Sequence, residues 1–270
     1  MPQEFAQRYG PWALVTGAAR GIGRACAEQL ADRGLSVLAV DLLENELAVT
    51  CEVLRSRGAR VEPVLADLAQ DESVETLARL AAEREIGILV HCAAQIPHGR
   101  FLDGDPSLHA RAVAVNARTP LLLAHAFGSH MRRRGRGGIV LVSSMAALYG
   151  TGWVATYAAT KAFEMILAES LWWELKPDGV DVLAALPGAT DTEGLRMHSP
   201  YIEDPSALGK PTDVAREALD ALGRVPSWIC GEQNRSLAEA LRSFPREQAI
   251  DMLSKSTRLM CDGPQGRKRT

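Results

Sequence analysis

The sequence predicts an α/β protein built on one doubly wound parallel sheet of the Rossmann-like class. Short apolar segments alternate with longer amphipathic ones along the chain, and several short segments, such as residues 139–142, are apolar at every position. That pattern is typical of strands buried on both faces of a parallel sheet. A glycine-rich turn at residues 16–23 follows the first apolar segment directly, as it does in doubly wound folds.

Each element is predicted from its own local pattern. Strands are predicted where short apolar runs are bounded by turn residues, at residues 13–16, 36–40, 61–66, 86–92, 138–143, 180–186 and 227–230. Helices are predicted where apolar residues recur every three or four positions, at residues 21–33, 44–57, 71–83, 107–133, 156–175 and 212–222. This alternation implies parallel strands joined by helical crossovers.

We expect a single domain over residues 1–270, with a core at about residues 12–231 and an atypical helical extension at residues 232–270. The extension carries two helical patterns, at residues 236–243 and 245–260, interrupted at Pro245. Residues 187–211 contain four prolines and three glycines without periodicity, which is typical of a lid or binding loop.

Composition and charge exclude several classes of protein. The chain has 270 residues, 30 basic and 33 acidic side chains and a formal net charge of −3, which gives no reason to expect a nucleic-acid partner. The basic run at residues 267–269 is interpreted as a solvated terminus. No apolar run reaches the roughly 18 residues of a membrane span, and residues 1–10 lack the apolar stretch of a signal peptide.

The cysteines are odd in number and widely spaced. They are Cys26, Cys51, Cys92, Cys230 and Cys261, and no Cys-x-x-Cys pair occurs. This spacing predicts neither a metal site nor a disulfide framework. We therefore expect reduced thiols and a cytoplasmic location.

The turn at residues 16–23 predicts a phosphate-binding site. Its glycines, Gly17, Gly21 and Gly23, have the spacing G-x-x-x-G-x-G, which permits a tight turn and a close approach of the backbone to a pyrophosphate. The helix that begins near Arg20 and Ile22 directs free N–H groups at the anion. A tight turn that needs glycine for conformation alone is the other interpretation.

Asp41, directly after the second strand, favours NAD over NADP. Its carboxylate can accept hydrogen bonds from an adenosine ribose, and it would repel a 2′-phosphate by roughly 4 kcal/mol at about 4 Å. Arg20 argues for NADP, because its guanidinium could pair with that phosphate. The alternative role of Asp41 is a favourable charge at the start of the next helix.

Asp67 and Leu68 follow the third strand. The carboxylate of Asp67 could bind the adenine amine, or it could cap the helix that begins near Asp71. Both interpretations stay open from the residues alone.

Tyr157 and Lys161 are predicted to carry the chemistry. Four residues apart on a helix, they share one face. An ammonium lowers the pKa of a neighbouring phenol by roughly 1–3 units from its usual value of about 10, which makes tyrosine a usable proton donor and acceptor. Alone, such a pair is also common on solvated helices.

Taken in order, these features resemble the short-chain dehydrogenase/reductase family from about Trp12 to Gly231. The motifs that carry the resemblance are residues 16–23, Asp67, Asn116, Ser144, Tyr157, Lys161 and Pro187-Gly188. The resemblance implies a Rossmann-like fold and an NAD-dependent oxidoreductase that interconverts a secondary alcohol and a ketone.

The resemblance also implies roles for single residues. Tyr157 would be the general acid/base, and Lys161 would lower its pKa and hold the nicotinamide ribose. Ser144, 13 residues before Tyr157, would bind the substrate oxygen, whereas Ser143 is expected to be structural. Asn116 would kink its helix and hold a water in a proton relay to Lys161.

Further residues are implied at the cofactor. The segment Pro187-Gly188-Ala189-Thr190-Asp191-Thr192 resembles the family's segment after the sixth strand. Cofactor contacts are expected at Leu68, Ala93, Pro187, Gly188, Thr190 and Thr192, in addition to the residues of the glycine-rich turn. Loop capping is the alternative role of Thr192.

Two regions depart from the family pattern. The chain reads His91-Cys92-Ala93-Ala94 where the family usually has Asn-Asn-Ala-Gly, so the asparagine that braces neighbouring strands is absent and Ala94 adds a methyl near the cofactor ribose. We interpret His91 as a satisfied core histidine. The segment after Gly231 could cover the active site, mediate assembly or pack on the sheet.

Two other functions are compatible with the sequence: an NADPH-preferring ketoreductase of acyl or polyketide-type substrates, and a non-catalytic cofactor-binding scaffold. Substrate specificity is expected in residues 95–101, 145–153 and 189–209. An apolar pocket is suggested by Met145, Leu148, Trp153, Leu195 and Met197.

We expect a homo-dimer or tetramer. The family commonly pairs the helices that correspond to residues 107–133 and 156–175. The second of these carries Leu167, Leu171, Trp172 and Leu175 near its end. The alternative is that these faces only cover the sheet of their own subunit.

Overall fold

A seven-stranded parallel sheet forms the centre of the protein. The computed structural model describes residues 2–202 and 204–263, apart from the side chains of residues 2, 81 and 82; the basic run at 267–269 and the end of the predicted extension lie outside these residues. The strands are β1 Trp12–Thr16, β2 Ser36–Asp41, β3 Val61–Leu65, β4 Ile86–His91, β5 Gly137–Val142, β6 Val180–Pro187 and β7 Ser227–Cys230. Their order is β3-β2-β1-β4-β5-β6-β7, so the predicted doubly wound sheet is confirmed.

Helices cover both faces of this sheet. They are α1 Pro2–Tyr9, α2 Gly21–Asp32, α3 Glu44–Ser56, α4 Asp71–Glu83, α5 Pro106–Val113, α6 Thr119–Arg134, α7 Ala155–Leu175, α8 Glu193–His198, α9 Pro211–Ala221, α10 Glu232–Arg242 and α11 Arg246–Asp262. Within the described parts of the chain, none of the helices is long and apolar enough to cross a bilayer.

The observed helices differ from the predicted ones in three places. α1 was not predicted. The single helix predicted at residues 107–133 is divided into α5 and α6 by a π-helical turn, Ala114–Arg118. The loop predicted at residues 187–211 contains the short helix α8. The predicted helices of the extension are present as α10 and α11, with Pro245 at the break.

Alternate residues of each central strand enter two separate cores, which explains why the strands are apolar throughout. In β1, Val15 belongs to the core beneath α2 and α9, whereas Leu14 belongs to the core beneath α4, α6 and α7. Val140 and Leu141 of β5 divide in the same way. Period-2 side-chain alternation leaves no polar face in such a strand.

The turn between β1 and α2 is built on close backbone packing that excludes side chains. Gly17 has a φ of +70°, and a Cβ atom there would lie 2.8 Å from the backbone nitrogen of Ala93. A Cβ on Gly23 would collide with the carbonyl oxygen of Gly17. At the start of α2, Arg20 makes no side-chain cap, so the first N–H groups of the helix stay available to a ligand.

We predict that Gly17→Ala destabilises the protein more than Gly58→Ala. Both glycines have positive φ, at +70° and +83°, so both substitutions carry left-handed strain of about 1–2 kcal/mol. Only Gly17 also meets the backbone, because nothing lies within 4 Å of a Cβ added to Gly58. Urea unfolding measures the difference, and equal losses would show that the turn has room for a side chain.

Candidate active site

The predicted site residues gather along one edge of the sheet. Parallel strands place their carboxyl ends at the same edge, and each candidate follows a strand end or lies on a helix beside one. The cofactor candidates along this edge are Gly17, Arg20, Gly21, Ile22, Gly23, Asp41, Asp67, Leu68, Ala93, Pro187, Gly188, Thr190 and Thr192. Asn116, Ser144, Tyr157 and Lys161 complete the set.

Ser144, Tyr157 and Lys161 meet where β5 ends beside α7. The hydroxyl of Ser144 lies near enough to Tyr157 to lower the pKa of its phenol, and the ammonium of Lys161 lies 5.7 Å from the centre of the Tyr157 ring. The hydroxyl of Ser144 also accepts a hydrogen bond from the backbone of Ala146 at 3.1 Å, which fixes its position. Ser143 donates to the Lys161 carbonyl oxygen at 2.6 Å, which ties the end of β5 to α7.

Lys161 is buried beside an acidic residue that the sequence analysis missed. Its Nζ donates to the carbonyl oxygen of Val142 at 2.8 Å and to Oε2 of Glu164 at 2.8 Å. The side-chain exposure is 2% for Lys161 and 0% for Glu164. The available signal was a glutamate three residues after Lys161, on the same helix face, between Phe163 and Met165.

Burial reverses the expected effect of Lys161 on Tyr157. Burial raises the pKa of Tyr157 above its ordinary value, and this exceeds the lowering by the Lys161 charge and the Ser144 hydrogen bond. The negative charge of Glu164 raises the pKa further, as does Cys92. The expected net decrease in the pKa of Tyr157 is therefore wrong, because local spacing revealed neither the burial nor the second charge.

Lys161 and Glu164 shift each other's protonation. Burial raises the pKa of Glu164 to about 7 despite the opposing attraction of Lys161. Burial lowers the pKa of Lys161, but the charges of Glu164 and Tyr157 outweigh it and hold that pKa above its usual value. Lys161 is thus a cation at neutral pH, and Glu164 changes its charge near pH 7.

His91 replaces the missing asparagine brace and is only half satisfied. Its Nδ1 lies 3.0 Å from Oγ1 of Thr16, which ties the end of β4 to β1. Its Nε2 has no hydrogen-bond partner among the described residues and lies 3.9 Å from Oε1 of Glu164. Burial and the charge of Lys161 lower the pKa of His91 to about 3, so the ring is neutral at physiological pH.

Asn116 lies in the π-helical turn, so the expected kink is present at this residue. Its fully buried amide donates to the carbonyl oxygen of Gln95 at 2.9 Å and to Thr160 at 3.0 Å, and its oxygen accepts from the Gln95 nitrogen at 2.8 Å. Asn116 therefore fixes the loop after β4 against α7. Its part in a water-mediated proton relay stays a prediction.

Asp41 lies against the glycine-rich turn. Its Oδ2 accepts a hydrogen bond from the backbone of Ala19 at 2.9 Å, and its Oδ1 accepts from Leu42 at 2.8 Å and Leu43 at 3.0 Å. The carboxylate is thus fixed between the end of β2 and the turn, where an adenosine ribose is expected.

Asp67 forms an ion pair that the sequence did not indicate. Arg111 of α5 donates two hydrogen bonds to its carboxylate, at 2.7 and 3.1 Å. Asp67 also accepts from the backbone of Ala69 at 3.0 Å. Ala69 precedes α4, which has no side-chain cap at Gln70, so the capping alternative for Asp67 is wrong. A contact with adenine stays a prediction.

The segment after β6 approaches the glycine-rich turn. Thr192 caps α8 by accepting from the Leu195 nitrogen at 3.1 Å, so its alternative capping role is present. A Cβ on Gly21 would lie 2.9 Å from the Thr192 methyl, which places the two residues face to face. Thr190 donates to the carbonyl oxygen of Gly188 at 3.0 Å.

The helical extension reaches the loops predicted to set specificity. Ser254 of α11 accepts a hydrogen bond from the Gly152 nitrogen at 2.8 Å, and Asp262 accepts from Nε1 of Trp153 at 2.6 Å. Trp153 holds a φ of +67°, a conformation that costs a bulky residue free energy and needs such support. The extension thus packs on the sheet at β7 through α10 and contacts this loop through α11.

The turn fits a dinucleotide. Gly17 and Gly23 leave no space for a Cβ, and the uncapped start of α2 offers N–H groups to a pyrophosphate. Over the described ranges, no group of three or more His, Cys, Asp or Glu side chains is arranged to hold a metal ion.

Comparisons with known proteins agree with this geometry. The family model described as short chain dehydrogenase matches residues 11–200. The 7beta-hydroxysteroid dehydrogenase of Clostridium sardiniense is 28% identical over 255 residues, covering 93% of this chain and 97% of that protein. A solved structure from work on 7beta-hydroxysteroid dehydrogenase stereoselectivity has a TM-score of 0.84 at 29% identity, covering 92% of this chain and 98% of the other. A short-chain dehydrogenase from Sphingobium yanoikuyae in complex with NADPH has a TM-score of 0.77 at 27% identity, covering 90% and 96%.

The matched family segment includes every site residue considered above, from Gly17 to Thr192. The chain belongs to the short-chain dehydrogenase/reductase family, whose members are oxidoreductases that act on CH–OH groups with a nicotinamide cofactor.

Proposed function

We propose that this protein interconverts a secondary alcohol and a ketone with NAD, and that Tyr157 is its general acid/base. The convergence of Ser144, Tyr157 and Lys161 at the sheet edge carries the proposal. A secondary alcohol must lose a proton from oxygen and a hydride from carbon, and the bound nicotinamide supplies the hydride acceptor. The glycine-rich turn, Asp41 and the segment from Pro187 to Thr192 would hold the cofactor.

Each side chain has one task in this mechanism. The oxygen of Tyr157 accepts the substrate proton during oxidation and returns it during reduction. Ser144 donates a hydrogen bond to the substrate oxygen and stabilises the negative charge that develops there. The Lys161 ammonium favours the tyrosinate against the effect of burial. A non-catalytic scaffold would need none of these three groups in contact.

We predict that Tyr157→Phe lowers kcat/KM by at least the roughly 10²–10⁴-fold that general acid/base catalysis contributes. The variant keeps the ring and loses only the hydroxyl, so NAD affinity should be retained. Tyr9→Phe is the matched control, because Tyr9 bonds Asp181 away from the site. Near wild-type turnover in Tyr157→Phe would remove Tyr157 from the mechanism.

The position of Asp41 supports NAD as the preferred cofactor. A 2′-phosphate on the ribose would approach a carboxylate that backbone N–H groups hold in place, at a cost of roughly 4 kcal/mol at about 4 Å. Arg20, the residue that favours NADP, lies near the lid, where its charge lowers the pKa of His198 alongside the larger effects of burial and His98. The NADPH-preferring ketoreductase is the alternative.

We predict that Asp41→Ser raises the NADP to NAD ratio of kcat/KM at least about tenfold, because it removes this repulsion. Glu44→Gln is the control, since it removes an exposed charge at the start of α3 without altering the end of β2. If the wild-type protein already prefers NADPH in steady-state kinetics, the assignment based on Asp41 is wrong and Arg20 is the better guide.

The substrate is proposed to be a bulky, largely apolar secondary alcohol, such as a hydroxysteroid. The relatives named 7beta-hydroxysteroid dehydrogenase support this class. In the lid, Met197 is 59% exposed and Leu195 partly buried, while Trp153 is held by Asp262. Such side chains could contact a fused-ring substrate through apolar surface.

A reducing, cytoplasmic location is proposed from the thiols. All five cysteines are unpaired, and Cys26, Cys51 and Cys230 are buried. Unpaired thiols are usual in proteins of reducing compartments.

A homo-oligomer is proposed from a different set of residues than the sequence indicated. Leu167, Leu171, Trp172 and Leu175 pack against the core of their own subunit, as the alternative interpretation held. The apolar residues left exposed on α6 and α7 are Leu121, Leu122, Phe163, Ile166 and Trp173. An exposed patch of this kind is suited to a two-fold contact.

We predict a mass of at least twice 29.1 kDa by light scattering at micromolar concentration. The double substitution Ile166→Glu and Trp173→Glu should reduce it, since it buries charge in the contact. Leu102→Glu, at an exposed position on the loop before α5, is the control. A wild-type monomer would contradict the proposal.

A further inference from the structure

We propose that Glu164 is a positioning residue for the Tyr157–Lys161 pair. The inference rests on the catalytic role proposed above for Tyr157. It adds to that role an acidic group, reached by neither substrate nor cofactor, that sets the direction and the charge of Lys161.

The two carboxylate oxygens of Glu164 face two different elements. Oε2 accepts a hydrogen bond from Nζ of Lys161 at 2.8 Å. Oε1 faces Nε2 of His91 at 3.9 Å, and over the described ranges neither of these two atoms has a hydrogen-bond partner. All three side chains are buried, so solvent does not screen the charges from one another.

Glu164 limits the directions in which Lys161 can point. An ammonium has three N–H donors, and the Val142 carbonyl and Glu164 take two of them. The third N–H of Lys161 is left to donate on the side of Tyr157. Without Glu164, the buried cation would lack its counter-ion, which is costly in a protein interior.

The hydrogen bonds of Thr16 fix the tautomer of His91. Oγ1 of Thr16 accepts from the backbone nitrogens of Cys92 at 3.1 Å and Ala93 at 3.2 Å. Its own hydrogen is therefore free to donate to Nδ1 of His91, at 3.0 Å. A neutral imidazole then carries its hydrogen on Nε2, which lies 3.9 Å from Oε1 of Glu164 and makes no hydrogen bond to it.

The surrounding groups give the cluster a definite charge balance. The titratable groups around Glu164 are Tyr157 and Lys161 on α7, His91 at the end of β4, and Cys92, which follows it. The remaining polar groups are carbonyls and a hydroxyl, from Val142 of β5, Val115 of the π-helical turn and Thr16 of β1. Asp41, on β2, acts more distantly through Cys92. Lys161 is thus the cation that Glu164 balances.

This arrangement makes Tyr157 depend on the charge of Glu164. The ionised carboxylate opposes the tyrosinate, because it raises the pKa of Tyr157. The pKa of Glu164 is about 7. Above pH 7 its charge therefore raises the pKa of Tyr157, and this effect is lost below pH 7 as Glu164 becomes protonated. Removing the charge should therefore let Tyr157 ionise at lower pH.

We predict that Glu164→Gln shifts the ionisation of Tyr157 down by about one pH unit. The glutamine keeps the size and an acceptor for Lys161 but removes the charge. Tyrosinate absorbance measures the shift in cofactor-free protein, with the Tyr157→Phe titration subtracted. The acid limb of kcat/KM for alcohol oxidation should move by the same amount. Glu52→Gln, on the exposed face of α3, is the charge-matched control and should leave both curves unchanged.

Glu164→Asp provides a second measurement should Glu164→Gln fail to fold. The aspartate keeps the negative charge beside Lys161 and is ionised throughout the titration of Tyr157, so Tyr157 should ionise at the wild-type pH. A downward shift of about one pH unit in Glu164→Asp would show that the charge does not raise the pKa of Tyr157, and it would overturn the inference.

The outcomes separate this inference from the proposed function. If Tyr157→Phe is inactive while Glu164→Gln titrates like the wild type, the positioning role is wrong and the catalytic role stands. If Tyr157→Phe stays active, the proposed function itself fails. An upward shift in Glu164→Gln would also overturn the inference.

Discussion

The buried ion pair between Lys161 and Glu164 is the interaction on which the arrangement of the active site depends. The role proposed for Tyr157 needs a cation beside it, and a buried cation is stable only when it is paired and hydrogen-bonded. The three-residue spacing on α7 supplies the pairing, and the carbonyl oxygen of Val142 supplies a further acceptor from β5. The ion pair therefore links α7 to β5 beside Tyr157. Its carboxylate, Glu164, also raises the pKa of Tyr157 and so opposes the ionisation of that residue.

At the same edge of the sheet, backbone contacts rather than ion pairs hold the residues expected to bind the cofactor. Gly17 lies directly on the backbone at Ala93, and Asp41 is held by N–H groups of the turn and of its own strand end. His91 links the two halves of the site, because it bonds Thr16 at the start of the turn and faces Glu164 behind Lys161. A change at His91 should thus be felt by both halves.

Features that depend on local spacing could be predicted from the sequence, and features that depend on burial or on distant pairs could not. Strand positions and the convergence of Ser144 with Tyr157 follow from periodicity and family spacing. Glu164 was missed because a glutamate on a helix is ordinarily solvated, and only the fold shows that it is buried. For the same reason the pKa of Tyr157 was expected to fall and is instead raised. The pairing of Asp67 with Arg111 joins residues far apart in the chain, which no local pattern reveals.

The most direct test of this account is a crystal structure of the complex with NAD, examined at Lys161. The account predicts that Nζ keeps its hydrogen bond to Oε2 of Glu164, at about the 2.8 Å seen here, while its remaining N–H bonds the nicotinamide ribose beside Tyr157. A complex in which Glu164 has turned away and Lys161 is held by the cofactor alone would contradict it.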